Sequence, residues 1–363
     1  MADAATLTFP IETLRDFSAR TFLHFGLPEE DALIAADVLA ASDLRGIESH
    51  GIARLWTYAR LFKETDINPR PEISIVRETA STATVDGDGG LGLVVGPKAN
   101  RIAIEKAAEV GTGWVAVRRS SHYGIAGYYP LMALEHDMIG WSMTNCAPHV
   151  APLWGKEARL GTNPIAIAFP AGNRPPVVID MSTSVASGGK VEIASRNGDA
   201  LPSGWLIDEA GQPTNDPDQL LRHDGVLLPL GADYEHGGHK GYCLASMVDL
   251  LSGVLSGACW GPFVPSFSVS APIEAQTGDG TGHFFGAMRV DAFSDVAVFK
   301  ARVDAWILSM RDTEPAPGNP QPIVPGELEH QAELERTASG IPLTMPVIES
   351  LRTLSDETGV PFD

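Results

Sequence analysis

The sequence predicts an α/β protein that begins with a helical block. Two observations carry this. Over the first ~65 residues the apolar positions recur at helical spacing, and from about residue 73 short β-like runs alternate with helical patterns. Between the two textures lies Asn68-Pro69-Arg70-Pro71, proline-rich enough to end a helical block, which marks a domain boundary after residue 72.

In the helical block Pro10 opens one helix and Gly26 closes it. Pro28 opens a second, with Glu29, Glu30 and Asp31 in its first turn, where the helix dipole favours acids. A third starts at Ser49. The strand runs beyond the boundary are 82–85, 113–117, 140–144, 164–169 and 177–179. Helical patterns interleave at 97–110, 125–135 and 240–257. Residues 197–228 are rich in Gly, Pro and Asp and read as loop and turn. After His283-Phe284-Phe285 comes an amphipathic segment, 292–310. A proline-rich connection, 314–325, then leads to a last helix near 346–358. There is no internal repeat and no low-complexity tract.

The chain has 363 residues, 44% hydrophobic and 20% charged, with a net charge of −20. That length suits two domains or one large core with an appended subdomain. So acidic a surface repels nucleic acid and anionic membrane, and neither is expected as a partner. A small anionic substrate stays compatible, because one Arg or Lys dominates the field inside a cleft. Cys146, Cys243 and Cys259 are too few for a disulfide scaffold and match no zinc spacing, so they read as reduced thiols of a cytoplasmic protein. The first residues have neither a basic n-region nor an apolar h-region, so no signal peptide is expected. The apolar stretch near 250–258 is broken by Ser252, Gly253, Ser256 and Gly257, and no run reaches transmembrane length.

The most informative motif is Ser49-His50-Gly51-Ile52-Ala53-Arg54-Leu55-Trp56-Thr57-Tyr58. It reads as a helix start with Ser49 as N-cap. His50, Arg54 and Tyr58 are four apart and share a face, while Ile52, Leu55, Trp56, Ala59 and Phe62 take the core side. An imidazole, a guanidinium fork and a phenol suit gripping a carboxylate and moving a proton. A solvated helix face with a capping serine gives the same pattern.

Gly87-Asp88-Gly89-Gly90-Leu91-Gly92 matches G-x-G-x-x-G, but Leu93-Val94-Val95 continues it and the helix is expected to wait until Pro97. Asp86 and Asp88 would also repel phosphate, so a turn in a sheet is preferred. Arg118-Arg119-Ser120-Ser121-His122-Tyr123-Gly124 stands at the end of a strand that opens into a helix, a common catalytic position. Thr144-Asn145-Cys146-Ala147-Pro148 and Leu160-Gly161-Thr162-Asn163-Pro164 are turns rich in donors. Val178-Ile179-Asp180-Met181-Ser182 ends a strand in an acid suited to ribose hydroxyls, or to capping a helix. His236-Gly237-Gly238-His239-Lys240-Gly241 leads into a helix whose start could hold a diphosphate. No third ligand at regular spacing supports a metal there.

Taken together these motifs resemble the malate/L-lactate dehydrogenase family that lacks a Rossmann fold. Ureidoglycolate, sulfolactate, diketogulonate and cyclic-imine oxidoreductases belong to the same group. The resemblance runs in order through Ser-His-Gly with Arg54 and Tyr58, the run from Ser121 to Tyr128, and Leu160 to Pro164. It continues through Asp180 to Ser184, Pro202-Ser203-Gly204-Trp205, His239-Lys240-Gly241-Tyr242 and Pro325-Gly326-Glu327. It implies a non-Rossmann α/β fold with a mixed, largely antiparallel sheet over 73–310. The helical domain, 1–72, would be completed by C-terminal helices from about 311 to 363.

The resemblance also implies NAD or NADP as cofactor, a small 2-hydroxy or 2-oxo acid as substrate, and a homodimer. Cofactor contacts map onto His122, Tyr123, Gly124, Asp180, Met181, Ser182, His239, Lys240, Pro325, Gly326 and Glu327. Substrate contacts map onto Arg54, Tyr58 and Thr162, and catalysis onto His50, His122 and Ser49. Both histidines are candidates for the proton; His50 is favoured. Members often have Ser where Cys146 stands, and many have Arg where Gly188 precedes Gly189-Lys190. Imine-reducing members use an acid near Lys190, which favours C–OH/C=O chemistry here. The rivals are a reductase of cyclic imino acids and, from another class, a metal-dependent hydrolase using His122, His236 and His239.

Overall fold

The computed structural model describes residues 6–65, 67–266 and 278–362. Pro10 and Pro28 each precede a helix, α1 (Ile11–His24) and α2 (Glu29–Leu44), as their fixed φ favours. A short strand, β1 (Thr6–Phe9), comes before them and α3 (Leu55–Glu64) after. The chain then runs β2 (Ser74–Glu78), β3 (Thr82–Asp86), α4 (Gly92–Val110), β4 (Thr112–Ser120), α5 (Tyr128–Leu134), β5 (Met138–Thr144), β6 (Ile165–Phe169) and β7 (Val177–Met181). Next come α6 (Gly188–Asn197), β8 (Leu206–Ile207), β9 (Pro213–Thr214), α7 (Asp218–Arg222), β10 (Val226–Leu227) and α8 (Gly238–Asp249). It finishes with β11 (Thr281–Arg289), α9 (Val296–Arg311), α10 (Glu327–Ser339), β12 (Ile341–Thr344) and α11 (Met345–Thr358).

One sheet has the order β2-β3-β4-β11-β5-β6-β7. Within it β3 and β4 pair in parallel, and every other neighbouring pair is antiparallel. This is the mixed, largely antiparallel α/β fold that the resemblance implies. The helical block shares a core with the end of the chain. Phe17, Phe22, Leu39, Leu55 and Tyr58 pack with Ile341, Leu343, Ile348 and Leu351, and β1 pairs with β12. The five strand runs read from sequence correspond to β3 to β7, each within a few residues of its ends. Residues 197–228, expected to be loop and turn, hold a three-stranded sheet, β10-β8-β9, and α7.

The glycine run departs from expectation in two respects. Its helix does not wait for Pro97, because α4 opens at Gly92. Asp86 and Asp88 are not bare charges either. Arg119 pairs with both, at 3.0 and 3.4 Å, and Arg118 pairs with Asp86 at 3.1 Å. The run is a sheet turn for a different reason: its donors are in use. Gly87 and Gly89 N–H groups donate to the carbonyls of Arg118 and Arg119, Gly90 N–H to Gly87, and Gly92 N–H to Ser121 Oγ at 2.9 Å. No row of amides is left to cradle a phosphate. Gly89 has φ +69°. Gly89→Ala is therefore expected to lower stability by about 1 kcal/mol and leave cofactor affinity unchanged. Thermal melting together with a titration of reduced nicotinamide fluorescence checks this, and a selective loss of affinity would overturn the structural assignment.

Candidate active site

The segment from Ser49 to Tyr58 does not start as one α-helix. Glu48–His50 and Ile52–Arg54 form two 3₁₀ turns, joined at Gly51, whose backbone is extended, and α3 begins only at Leu55. A long-range contact breaks the helical spacing. The buried carboxyl of Asp43, near the end of α2, accepts the Ile52 N–H at 2.7 Å. Ser49 caps no helix; its Oγ lies 2.9 Å from His50 Nδ1. Tyr58 lies on no polar face; it is fully buried among Phe22 and its neighbours in the helical core.

The broken helix gathers the catalytic candidates more tightly than a regular one would. The His50 ring stacks on His122 with centroids 5.6 Å apart. The Tyr58 hydroxyl lies 2.7 Å from His122 Nδ1, and the Gly124 N–H donates to that nitrogen at 3.3 Å. An Nδ1 that accepts a backbone N–H carries no proton, so the neutral His122 ring holds its proton on Nε2, and Tyr58 donates. Burial and the Arg54 charge lower His50 to about 4, and burial, followed by His50, Arg54 and His283, pushes His122 well below its ordinary value. Both rings are thus neutral near pH 7. Burial pushes the Tyr58 phenol up, so it stays protonated.

Arg54 completes the cluster. Its Nε donates to the Ser49 carbonyl at 2.7 Å, and Gly189, at the start of α6, lies against both Ser49 and Arg54. Among the described residues no carboxylate lies within ion-pair distance of Arg54. A half-buried guanidinium held by a carbonyl and lacking an acid is prepared for an anion from outside.

A second line of residues follows β7. The Asp180 carboxylate accepts the Gly127 N–H at 2.8 Å, which ties β7 to the loop descending from His122. Water reaches Asp180, yet the surrounding protein pushes its carboxyl upward by desolvation. Further along, Val178 N–H donates to the Pro325 carbonyl at 3.1 Å, and Gly326 sits so close to Val178 that a Cβ would clash. Beside them lies a cavity of about 530 Å³, lined by Val178, Gly326, Arg45, His330, Glu333 and Leu334 among others. His239 and Lys240 lie in the first turn of α8, which packs on Leu230, and Leu230 N–H bonds Thr183 just beyond β7. The His239 Nδ1 is buried with no partner among the described residues.

The model of the malate/L-lactate dehydrogenase family matches residues 9–352. The chain belongs to that family. It is 43% identical to a malate dehydrogenase of Pyrococcus abyssi over 99% of this chain and 97% of that one. It is 42% identical to an L-sulfolactate dehydrogenase of Methanocaldococcus jannaschii over 93% of each. A malate dehydrogenase structure from Entamoeba histolytica superposes with a TM-score of 0.92 at 36% identity, covering 98% of this chain and 99% of that one. A delta1-piperideine-2-carboxylate reductase structure from Pseudomonas syringae reaches 0.83 at 28% identity, covering 96% of this chain and all of that one.

As a malate/L-lactate dehydrogenase family member, this oxidoreductase brings together Ser49, His50, Arg54, Tyr58 and His122 through direct contacts. Gly124 joins them through its N–H. Tyr123 has turned away: it stacks on the buried His283 at 4.7 Å and its hydroxyl lies 3.1 Å from Ser142 Oγ. Thr162 lies apart from this cluster. Its carbonyl accepts from Thr183, and its side chain bonds the Cys146 thiol, which burial pushes up to about 11. Met181 is half-buried at the end of β7. The Ser182 hydroxyl donates to the Ser184 carbonyl. Glu327 accepts from Val324 N–H at 3.2 Å and pairs with Arg311, so its carboxylate is held by its own helix start. His236, of the hydrolase rival, pairs with Asp233 in an exposed loop, apart from His122. Among the described residues no group of three or more His, Cys, Asp or Glu is placed to hold a metal ion. Sequence reasoning assigned no role to Asp43 or Gly189, because both meet the Ser-His-Gly motif only through tertiary contacts.

Proposed function

We propose that this chain is an NAD- or NADP-dependent dehydrogenase that interconverts a small 2-hydroxy acid and its 2-oxo acid. The observation that carries this reading is Arg54: a guanidinium without an acid, beside two neutral imidazoles. Arg54 grips the substrate carboxylate through its terminal nitrogens while Nε stays on Ser49. His50 carries the proton. Its Nδ1 faces Ser49 Oγ, which leaves Nε2 to take the substrate hydroxyl proton or return it. His122, with its proton held on Nε2, donates a hydrogen bond to the reacting oxygen rather than accepting its proton. Tyr58 serves through His122 by holding that tautomer. Bound substrate changes the electrostatics: burial is the larger cause of the lowered His50 value, and a carboxylate on Arg54 would offset the smaller one, the Arg54 charge.

Bound nicotinamide would supply the hydride acceptor. The residues fit an extended dinucleotide. The loop from His122 to Gly127 meets Asp180, Asp180 leads along β7 to Gly326, and the cavity beside Gly326 has room for a nucleoside. The orphaned His239 Nδ1 and the Lys240 ammonium at the start of α8 suit phosphate oxygens. Met181, Ser182, Pro325 and Glu327 belong to the same strip, Pro325 and Glu327 as its framework.

The partner is a second copy of the chain. Exposed Met247, Leu250 and Val254 follow helical spacing along α8 and the turn after it, as a buried homodimer face would. No helix among the described residues is long and apolar enough to cross a membrane. With three free thiols this supports a cytoplasmic location.

The test is an assay of oxaloacetate, pyruvate and a cyclic imino acid with NADH and with NADPH, with and without EDTA. Turnover of a 2-oxo acid, unaffected by chelation, is expected. Reduction of the imino acid alone would transfer the reading to imine chemistry. Loss of turnover on chelation, restored by a divalent ion, would sink the metal-free mechanism.

A further inference from the structure

Asp43 is buried at the end of α2 and touches the turn between His50 and Arg54 twice. Its Oδ2 accepts the Ile52 N–H at 2.7 Å, and its Oδ1 lies where a Cβ on Gly51 would stand. Oδ1 is itself buried, with no partner among the described residues. A solvent-shielded carboxyl oxygen with no bond of its own is costly, so the contact needs a return elsewhere in the molecule. From the other side, Arg336 of α10 donates to the Asp43 carbonyl at 2.6 Å and pairs with Glu48, the first residue of the turn. The turn that carries Ser49, His50 and Arg54 is therefore held between two side chains, Asp43 on Ile52 and Arg336 on Glu48.

We propose that Asp43 and Arg336 are positioning residues for the reaction: together they set the spacing between His50 and Arg54, so that one substrate meets both. The inference rests on the function proposed above. A 2-oxo acid offers its carboxylate and its carbonyl on adjacent carbons, so the two side chains must meet it at a fixed separation. A 3₁₀ turn of three residues on each side of an extended glycine has no internal ladder to fix that separation. Asp43 supplies the missing acceptor. Burial raises its carboxyl to about 7, and an acceptor is all that the Ile52 bond requires, with or without charge.

The test compares Asp43→Ala, Asp43→Asn, Arg336→Met and Arg336→Lys with wild type in steady-state reduction of oxaloacetate, alongside fluorescence titration of reduced cofactor. Asp43→Ala is expected to lower kcat/KM by about 10²-fold, with KM raised as well as kcat lowered, because displacements on the order of 1 Å are that damaging. Cofactor affinity should stay within about twofold, since those contacts lie along β7. Asp43→Asn should recover most of the loss, because an amide oxygen still accepts from Ile52. Arg336→Met should give the same KM and kcat split at about tenfold, with Arg336→Lys intermediate. Folded Asp43→Ala with wild-type kcat/KM, or an Asp43→Asn variant as impaired as the alanine, would overturn the proposal. If Asp43→Ala fails to fold, Arg336→Met decides: a variant with a lowered Tm and unchanged kcat and KM overturns it. A wild type that turns over no 2-oxo acid fails the proposed function instead.

Discussion

His50→Ala is expected to lower kcat for the 2-oxo acid by about 10²–10⁴-fold, the usual loss when a positioned acid–base group is removed. His122→Ala should fall in the same range, and the double variant should be little worse than the weaker single one, because both rings act on one oxygen. Reduced cofactor should still bind His50→Ala, since its main proposed contacts are around Asp180, Lys240 and Gly326. The pH profile separates the roles. With its pKa lowered to about 4, His50 is already the free base at neutral pH. Oxidation of the hydroxy acid needs that base, so its kcat/KM should be level near pH 7 and fall only as the medium approaches pH 4. Reduction needs the protonated ring, so its kcat/KM should rise over the same descent. An acid limb for oxidation near the ordinary histidine value, or wild-type rates in both histidine variants, would remove His50 from the chemistry.

Arg54→Lys is expected to lower kcat/KM by about 10²–10³-fold, or 3–4 kcal/mol of transition-state binding. The charge survives but the fork does not. In wild type Nε is engaged by the Ser49 carbonyl while the terminal nitrogens remain for the ligand. An ammonium has to choose: satisfy Ser49 and lie short of the substrate, or reach the substrate and leave the carbonyl without its donor. The predicted signature is a raised KM with kcat also reduced. Unchanged kcat/KM in the lysine variant would end this assignment.

Much of the site was legible because its chemistry sits in contiguous motifs. Ser-His-Gly with Arg54 and the His122 loop each carry their side chains together, and the fold had only to bring two short segments into register. What the sequence concealed was tertiary. The spacing of His50, Arg54 and Tyr58 matches a helix face, yet the Asp43 carboxyl captures the Ile52 N–H and breaks that helix, an interaction nine residues long with no periodic trace. Strand β11 was invisible for a different reason. It lies between β4 and β5, and both its faces are largely buried, so it lacks the alternation of a half-exposed strand. Helix α10 reads Glu-Leu-Glu-His-Gln-Ala-Glu, polar almost all round, and no apolar stripe announces it. It bridges two regions: Gly326 at its start lies against Val178 of β7, and Arg336 near its end bonds the Asp43 carbonyl and Glu48.

The position of β11 governs how this molecule can be made. Its neighbours β4 and β5 are finished early in synthesis, yet their shared partner arrives well over a hundred residues later, as Gly286 opposite Trp114 and Trp141. Until then the sheet is two unconnected halves with open edges. Strand β1 waits longer still, since Thr6 pairs with Thr344, more than three hundred residues further along the chain. Such separations predict slow folding on the scale of proteins dominated by non-local pairing, with exposed strand edges that invite aggregation meanwhile. A nascent chain released before residue 281 would thus carry every residue of the candidate catalytic turn and still be without the strand that closes the sheet.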